Sequence, residues 1–209
     1  CVRLRGESAE NAIQGQRRIV VANHIILMAV GYLIGSLPFG VIASRVLRGI
    51  DIRDYGSGST GSTNVLRTMG MKIAIPVLFL DMGKSALTVI LARLFSDSPG
   101  IEVAAAIAAI IGHNWPVFIG FNGGKGVAPG LGGLFILSPI SGLVATIAGV
   151  IVIAIWRYVS LGSIFGACIG TTILIALYFT NFEPIAYTWY GIIATSLMIF
   201  QHKDNIQRL

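Results

Sequence analysis

Charged residues are scarce in this sequence. Asp, Glu, Lys and Arg make up 11% of its 209 residues, whereas 55% of the residues are hydrophobic. An average soluble domain is about one-quarter charged, so this composition excludes a water-soluble globule. A membrane-spanning helix takes about 20 apolar residues, and the chain length therefore suits one bundle of helices with short loops and no separate soluble domain.

Cysteines are few, and clustered aspartates and hydrolase motifs are missing. The two cysteines, Cys1 and Cys168, form neither a disulfide framework nor a metal-ligand pattern. Asp51 and Asp54 are the only aspartates close in sequence, which argues against a phosphatidyl- or prenyl-transferase that binds diphosphate through magnesium. No Gly-x-Ser-x-Gly or His-Glu-x-x-His motif occurs. We therefore expect no metal and no cofactor.

What the sequence does contain is a series of apolar runs, which predicts an all-α, polytopic membrane helix bundle. The runs cover residues 19–47, 73–95, 101–121, 127–139, 140–156, 161–180 and 185–200. They give six or seven spans, because Ser138-Pro139 either kinks one long helix or separates a short span from a normal one. We expect a single transmembrane domain at 19–209, preceded by a polar tail at 1–18.

The distribution of Lys and Arg favours about seven spans, because cytoplasmic loops retain basic residues. In that arrangement the cytoplasmic side receives Arg45, Arg48, Arg53, Arg67, Lys72, Lys125, Arg157, Lys203 and Arg208. The four arginines within residues 1–18 would be external, and they favour six spans instead. The net charge of +6 lies in short loops, so anionic lipids and phosphorylated small molecules are expected partners and nucleic acid is not.

The loop after the first run has the composition of an anion-binding site. Its candidate ligands are Gly56, Ser57, Gly58, Gly61, Ser62, Thr63, Asn64 and Arg67. Glycines let backbone N–H groups converge on a phosphate, hydroxyls can donate further hydrogen bonds, and arginine can supply a bidentate charge. The same composition is also typical of a flexible, solvated connector.

The loop after the third run repeats this chemistry with Gly123, Gly124 and Lys125. It is not a Walker A motif, because the spacing and the Ser or Thr after the lysine are missing. His113, which precedes this loop, is more typical of a helix-end residue that forms a hydrogen bond than of a catalyst. Its role stays open at this point.

Two further polar pairs stand out. Asp81 and Lys84 lie three residues apart in an apolar run, where an unpaired charge would cost roughly 2.5–3.5 kcal/mol, so they pair with each other or face a polar interior. Either a structural ion pair or a substrate role accounts for them. Near the C-terminus, His202 and Asn205 would share one face of a helix. A plain charged terminus has a similar composition.

Taken in order, these motifs resemble the bacterial PlsY family of membrane acyltransferases over nearly all of residues 32–208. The resemblance rests on Gly35-Ser-Leu-Pro-Phe-Gly40, Gly56-Ser-Gly58, Thr63-Asn-Val-Leu-Arg67, Asp81 with Lys84, Gly112-His-Asn-Trp-Pro116, Gly123-Gly-Lys-Gly-Val127, Arg157-Tyr-Val-Ser-Leu161 and His202-Lys-Asp-Asn205. Ser59, Ser62, Asn122 and Pro129 depart from the usual family pattern, and none of them stands at an expected catalytic position.

The resemblance implies an enzyme of the bacterial inner membrane that transfers a fatty acyl group from acyl phosphate to the sn-1 hydroxyl of glycerol 3-phosphate. The expected catalytic residues are Ser57, Arg67, Lys125, His202 and Asn205, which would hold glycerol 3-phosphate. The backbone of residues 61–64, with Thr63, would hold the acyl-phosphate headgroup. Residues 56–64, with Arg53 and Arg67, would form a compact anion cradle. The active site would face the cytoplasm. Membrane lipids complete the expected partners.

A membrane transporter of an organic phosphate is the alternative, since buried charges and glycine-interrupted helices also mark transport pathways. Transporter halves usually carry related repeats with interruptions in matching places. Here the two glycine- and cation-containing loops differ in length and order, which favours the enzyme.

Overall fold

The computed structural model describes residues 20–207, and this part of the chain is helical throughout, without strands. The helices are α1 (residues 20–35), α2 (Phe39–Arg48), α3 (Ser62–Met69), α4 (Met71–Phe95), α5 (Pro99–Asn114), α6 (Val127–Leu137), α7 (Pro139–Trp156), α8 (Val159–Phe179), α9 (Ile185–Gln201) and α10 (Lys203–Ile206). The predicted all-α architecture is confirmed. The predicted tail at 1–18 lies outside the described residues.

Five helical segments are long and apolar enough to cross a membrane: Val20–Arg48, Met71–Phe95, Pro99–Ile119, Pro139–Trp156 and Val159–Phe179. Val127–Leu137 and Ile185–Gln201 are apolar but shorter. Many large hydrophobic side chains on these helices are exposed, as expected where lipid tails rather than water surround a bundle. The chain is therefore a multi-pass membrane protein.

The ambiguous stretch at 127–156 consists of two helices that meet at Ser138. The side chain of Ser138 caps the start of α7 by accepting a hydrogen bond from the Ser141 backbone N–H, and Pro139 occupies the first helical position. A Cβ on Gly142 would come within 2.9 Å of the Phe135 ring, so the start of α7 lies against the end of α6. Ser-Pro therefore ends one helix and begins the next.

Hydrogen bonds between distant loops define one end of the bundle, which we call the site end. The Thr60 backbone N–H donates to the Gly123 carbonyl at 3.3 Å, which joins the loop after α2 to the loop after α5. The Asn205 side chain in α10 donates to the Ser160 hydroxyl in the first turn of α8. Four chain segments that are remote in sequence thus meet there.

The opposite end, which we call the far end, is closed by a different set of contacts. Arg93 near the end of α4 pairs with Glu102 in the first turn of α5 at 2.7 Å. Tyr187 in α9 donates to the same carboxylate at 2.9 Å, and Arg93 also reaches the Ile136 carbonyl at the end of α6. Helices α4, α5, α6 and α9 therefore each run between the two ends.

Candidate active site

The first polar loop is built around the side chain of Asn64, which is 1% exposed. Its Nδ2 lies within 3.0 Å of the carbonyl oxygens of Ile52, Tyr55 and Ser59. Its Oδ1 accepts a hydrogen bond from the Ser57 backbone N–H at 2.8 Å. Because one buried amide satisfies four backbone groups, this loop is a fixed scaffold rather than a flexible connector.

Two glycines give the loop its shape. Gly56 has a φ of +62°, and a Cβ there would overlap Oδ1 of Asn64. Gly58 has a φ of +70°, which also favours glycine. These residues set the backbone path on which the neighbouring Ser57 is carried.

The loop ends in a short helix that the sequence pattern did not predict. Gly61 is the N-cap of α3, so the backbone N–H groups of Ser62 and Thr63 lie at a helix start, where they have no partner in the preceding turn. Such a helix start attracts anions. Thr63 and Arg67 are four residues apart on α3 and share one face, which adds a hydroxyl and a guanidinium to the same site.

The second polar loop is held against the end of α5. The Gly124 backbone N–H donates to the His113 carbonyl at 2.9 Å. Gly126 has a φ of +79° and begins α6 directly afterwards. Lys125, between these two glycines, donates from Nζ to Oδ1 of Asn205. The lysine and the C-terminal segment are therefore coupled.

His202 lies where α9 ends, with a total exposure of 3%. Its Nδ1 is 2.8 Å from the Met198 carbonyl oxygen. A carbonyl can only accept, so Nδ1 carries the proton and Nε2 is left as an acceptor. Burial lowers the pKa of His202, and the charge of Lys125 lowers this pKa further. The imidazole is consequently neutral near pH 7.

Arg53 anchors the two polar loops to each other. Its guanidinium forms a fork with Asp51, at 3.0 Å from Nε and 2.8 Å from Nη2, and its Nη1 donates to the Ile119 carbonyl at 2.8 Å. The hydrogen bonds from Arg53 hold the pKa of Asp51 below its usual range, with a contribution from Arg45. The predicted anion cradle included Arg53, but each of its three side-chain nitrogens already donates to a protein group.

These elements enclose a polar cavity of about 60 Å³ at the site end, several times the roughly 10–15 Å³ that one water needs. All five expected catalytic residues line it: Ser57, Arg67, Lys125, His202 and Asn205. So do the expected binding residues Gly61, Ser62, Thr63, Asn64 and His113. Gly56, Gly58, Gly123 and Gly124 are not among its lining residues and contribute through the loop backbones that carry them.

Sequence reasoning missed several residues of this cavity. Ser160 and Ser163 in the first turns of α8 line it, and Ser160 accepts the hydrogen bond from Asn205. Ser160 belongs to the motif 157–161, which could have pointed to it. Asp81 also lines the cavity, although its carboxylate is 2.9 Å from Nζ of Lys84. Ser59 is the fourth polar residue of the lining that was not among the expected site residues.

A second, apolar cavity of about 170 Å³ lies beside the polar one, between α6, α7, α8 and α9. The two cavities share Val127 and Ser163 in their linings. Further from the site, Thr171 and Thr195 hydrogen-bond to each other at 2.9 Å, so their hydroxyls are satisfied within an apolar wall. The arrangement therefore places an apolar cavity next to a polar pocket that two cations line.

Within residues 20–207, no group of three or more His, Cys, Asp or Glu side chains could hold a metal ion. Arg67 lines the cavity and makes no ion pair with any residue that the structure describes. The site thus consists of backbone amides, hydroxyls, two side-chain amides, two imidazoles, the cations Arg67 and Lys125, and the carboxylate of Asp81, which is paired with Lys84. Those groups can bind and orient phosphorylated reactants and stabilise developing negative charge.

The fold and the site together define a polytopic membrane protein with a polar pocket, lined by Arg67 and Lys125, beside an apolar cavity. The sequence pattern of the family described as glycerol-3-phosphate acyltransferase matches residues 25–209. This match covers most of the chain. The chain belongs to the glycerol-3-phosphate acyltransferase family, which confirms the resemblance seen in the motifs.

Curated relatives agree with this assignment. The chain is 43% identical over 190 residues to a glycerol-3-phosphate acyltransferase of Parasynechococcus marenigrum, covering 91% of this chain and 88% of the relative. It is 45% identical over 190 residues to the enzyme of that name from Halalkalibacterium halodurans, covering 88% and 90% of the two chains.

Two solved structures have the same fold. Both are crystal structures of PlsY (YgiH), an integral membrane glycerol 3-phosphate acyltransferase, in a glycerol 3-phosphate form and a lysophosphatidic acid form. They superpose with TM-scores of 0.81 and 0.80 at 34% sequence identity, over 89% of this chain and 91% of theirs.

Proposed function

We propose that this protein transfers a fatty acyl group from acyl phosphate to the sn-1 hydroxyl of glycerol 3-phosphate, forming lysophosphatidic acid and phosphate. The observation that carries the proposal is the shared wall between a cationic polar cavity and an apolar cavity. A transferase for these substrates must hold two phosphates and one hydrocarbon chain around a single carbonyl carbon. The two adjoining cavities provide both environments.

The start of α3 supports a role for residues 61–64 in binding the acyl phosphate headgroup. Backbone N–H groups at the first turn and the Thr63 hydroxyl can donate to phosphate oxygens, and the helix dipole favours an anion there. The acyl chain would then pass Val127 and Ser163 into the apolar cavity. Each methylene removed from water contributes about 0.8 kcal/mol to binding.

The remaining polar groups are assigned to glycerol 3-phosphate. Arg67 and Lys125 would neutralise its phosphate through charge-assisted hydrogen bonds, and Ser57 would donate from its hydroxyl. Asn205, already bonded to Lys125 and Ser160, would orient the glycerol. His202, with Nε2 as an acceptor, would receive a hydrogen bond from a substrate hydroxyl.

The chemistry then requires little from the side chains, because acyl phosphate is an activated donor. The sn-1 oxygen of glycerol 3-phosphate attacks the carbonyl carbon, a C–O ester bond forms, and the bond between the acyl carbon and the phosphate oxygen breaks. The hydroxyl proton goes to the departing phosphate, so charge and atoms balance without a protein base. Cations and amides around the site stabilise the negative charge that develops on both phosphates and on the carbonyl oxygen.

The expected setting is the bacterial inner membrane, with seven spans and the site end on the cytoplasmic side. Basic residues support this orientation, since Arg45, Arg48 and Lys72 are exposed near the site end, while Arg93 at the far end is paired with Glu102. The shorter α6 and α9 would complete the seven crossings within one domain at 19–209. Cysteine labelling in intact cells at residues 59 and 122 tests whether both polar loops share one side.

The decisive experiment supplies the purified protein with palmitoyl phosphate and glycerol 3-phosphate. We expect lysophosphatidic acid and one equivalent of inorganic phosphate. Palmitoyl-CoA without acyl phosphate should give no product, because the short loops offer no surface for an adenine-bearing carrier. Turnover with the thioester would refute the donor assignment, and uptake of labelled glycerol 3-phosphate into proteoliposomes without acyl transfer would favour a transporter.

A further inference from the structure

Three ionisable groups are buried together beneath the two polar loops. Lys84 and Asp81 on α4 are 4% and 1% exposed, and His113 at the end of α5 is 5% exposed. Nζ of Lys84 lies 2.9 Å from Oδ1 of Asp81 and 2.9 Å from Nδ1 of His113. Such a cluster is costly inside a membrane bundle, so its presence calls for a specific purpose.

The ammonium of Lys84 has a third partner, the Leu37 carbonyl oxygen, at 2.9 Å. Leu37 lies where the helix breaks between α1 and α2, just before Pro38, which has no N–H to donate. Lys84 thus contacts groups on three chain segments, and its contact with Asp81 is an ion pair without hydrogen-bond geometry. Because an ammonium cannot accept, we assign Nδ1 of His113 as its acceptor and the ring proton to Nε2; Oδ1 of Asp81 lies 3.5 Å from the same nitrogen.

The fixed imidazole in turn supports the second polar loop. A Cβ on Gly124 would overlap the His113 ring, at Nε2 first, so the loop backbone lies directly against the imidazole edge. The Gly124 backbone N–H also donates to the His113 carbonyl at 2.9 Å. The next residue along the chain is Lys125. A shift of the ring would therefore move the backbone from which this lysine reaches the cavity.

We propose that Lys84, balanced by Asp81, is a positioning residue: it locks His113 in one orientation and tautomer, and His113 fixes the backbone that aims Lys125 at the phosphate of the acceptor. This assignment rests on the proposed role of Lys125 in binding glycerol 3-phosphate. It gives the buried charges a task in substrate affinity that a plain structural ion pair would not have.

The first test variant is Asp81→Asn with Lys84→Met, which removes both charges at similar volume and so avoids leaving one buried charge unpaired. The second is Gly124→Ala, which displaces the ring from the opposite side and leaves the ion pair untouched. Gly83→Ala is the matched control, because Gly83 neighbours Lys84 on α4 and a Cβ there meets nothing within 4 Å. We expect the KM for glycerol 3-phosphate to rise at least tenfold in both test variants and to stay unchanged in the control.

Comparing KM with the maximal rate separates a positioning effect from a loss of folded protein. A smaller folded fraction lowers the maximal rate at an unchanged KM, so an unchanged KM in Gly124→Ala, or in a folded double variant, overturns the proposal. If the double variant does not fold, Gly124→Ala alone decides.

A substrate-free measurement keeps this inference distinguishable from the proposed function. The protein has three histidines, and ring ¹⁵N NMR with His113→Gln for assignment should show a single Nε2–H tautomer for His113. A mixture of tautomers in the double variant supports the proposal that Lys84 fixes the tautomer of His113, whereas an unchanged spectrum refutes it. Absence of acyl transfer by the unmodified protein would refute the proposed function and leave this result standing.

Discussion

The two ends of the bundle use their charges in opposite ways. At the far end, Arg93 reaches the Glu102 carboxylate with two nitrogens, at 3.2 and 2.7 Å, and Tyr187 donates to the same group. At the site end, Arg67 has no acidic partner among the described residues, and Lys125 donates to the side-chain oxygen of Asn205. Arg93 at the far end is therefore matched by a carboxylate of the protein, whereas Arg67 is not.

This difference separates structural from functional charges. A charge that is matched within the protein holds helices together, and removing one partner leaves the other buried without compensation. A charge that faces a cavity without an acid favours an anionic ligand instead. The comparison predicts that replacing Arg67 or Lys125 changes kinetics without changing stability, and that replacing Arg93 does the reverse.

The largest expected effect is at the site end. Arg67→Ala and Lys125→Ala should each lower kcat/KM for glycerol 3-phosphate by about 10–150-fold, because each removes a charge-assisted hydrogen bond to phosphate of about 1.5–3 kcal/mol. The midpoint of thermal unfolding should not change. Lys72→Ala is the control, since Lys72 is exposed and does not line the cavity. Normal kinetic constants in either test variant would remove that residue from the site.

The next effect is at the far end. Arg93→Ala should lower the free energy of unfolding by about 1–3 kcal/mol, since Glu102 is 6% exposed and would keep a buried carboxylate with Tyr187 as its remaining side-chain donor. Thermal unfolding measures the loss, and the KM for glycerol 3-phosphate should be unaffected. The neutral pair Arg93→Met with Glu102→Gln should recover much of the stability. A raised KM in Arg93→Ala would contradict the separation of the two ends.

The sequence predicted the helical class and the apolar segments, because hydropathy is a local property, whereas the set of expected catalytic residues came from the resemblance to the family. It did not predict α3, since Ser, Thr and Asn near its start are equally typical of a loop. Nor did it show that the side chains of Asn64 and Arg53 form hydrogen bonds with backbone groups. Their partners come from tertiary contacts such as those with Ile52 and Ile119.

The sequence left the role of His113 open for the same reason. Its spacing from the glycine loop is visible in the sequence, but the contact with Lys84 joins residues 29 positions apart. The Ser138-Pro139 ambiguity was of another kind, because a capped helix start and a kink share the same dipeptide. The cap formed by the Ser138 side chain and the packing of Gly142 on Phe135 distinguish them.

A smaller effect should sharpen the comparison between the two cavities. Ala167 on α8 lines the apolar cavity one helical turn, or about 6 Å, beyond Ser163. Ala167→Leu should shift selectivity toward shorter acyl phosphates by about tenfold, the equivalent of roughly two buried methylenes at about 0.8 kcal/mol each. Competition between dodecanoyl and palmitoyl phosphate measures it. Cys168→Leu, at the exposed neighbouring position, should leave the ratio unchanged, and equal effects at both positions would place the acyl chain elsewhere.

The smallest effect concerns pH, which acts oppositely on the two ends. Burial lowers the pKa of His202 at the site end and raises the pKa of Glu183 at the far end, so folding favours the neutral form of both groups. The contribution of His202 to stability is therefore present above its ordinary pKa of 6.5 and is lost as pH falls through the lowered value. The contribution of Glu183 is present below its ordinary pKa of 4.5 and is lost as pH rises through the raised value.

Thermal unfolding followed across pH should thus show a smaller loss of stability at acid pH in His202→Gln and a smaller loss of stability with rising pH in Glu183→Gln. Only the histidine variant should also alter the acid limb of kcat/KM, because His202 alone of the two lines the polar cavity. An altered acid limb in Glu183→Gln would show that the two ends are coupled rather than independent.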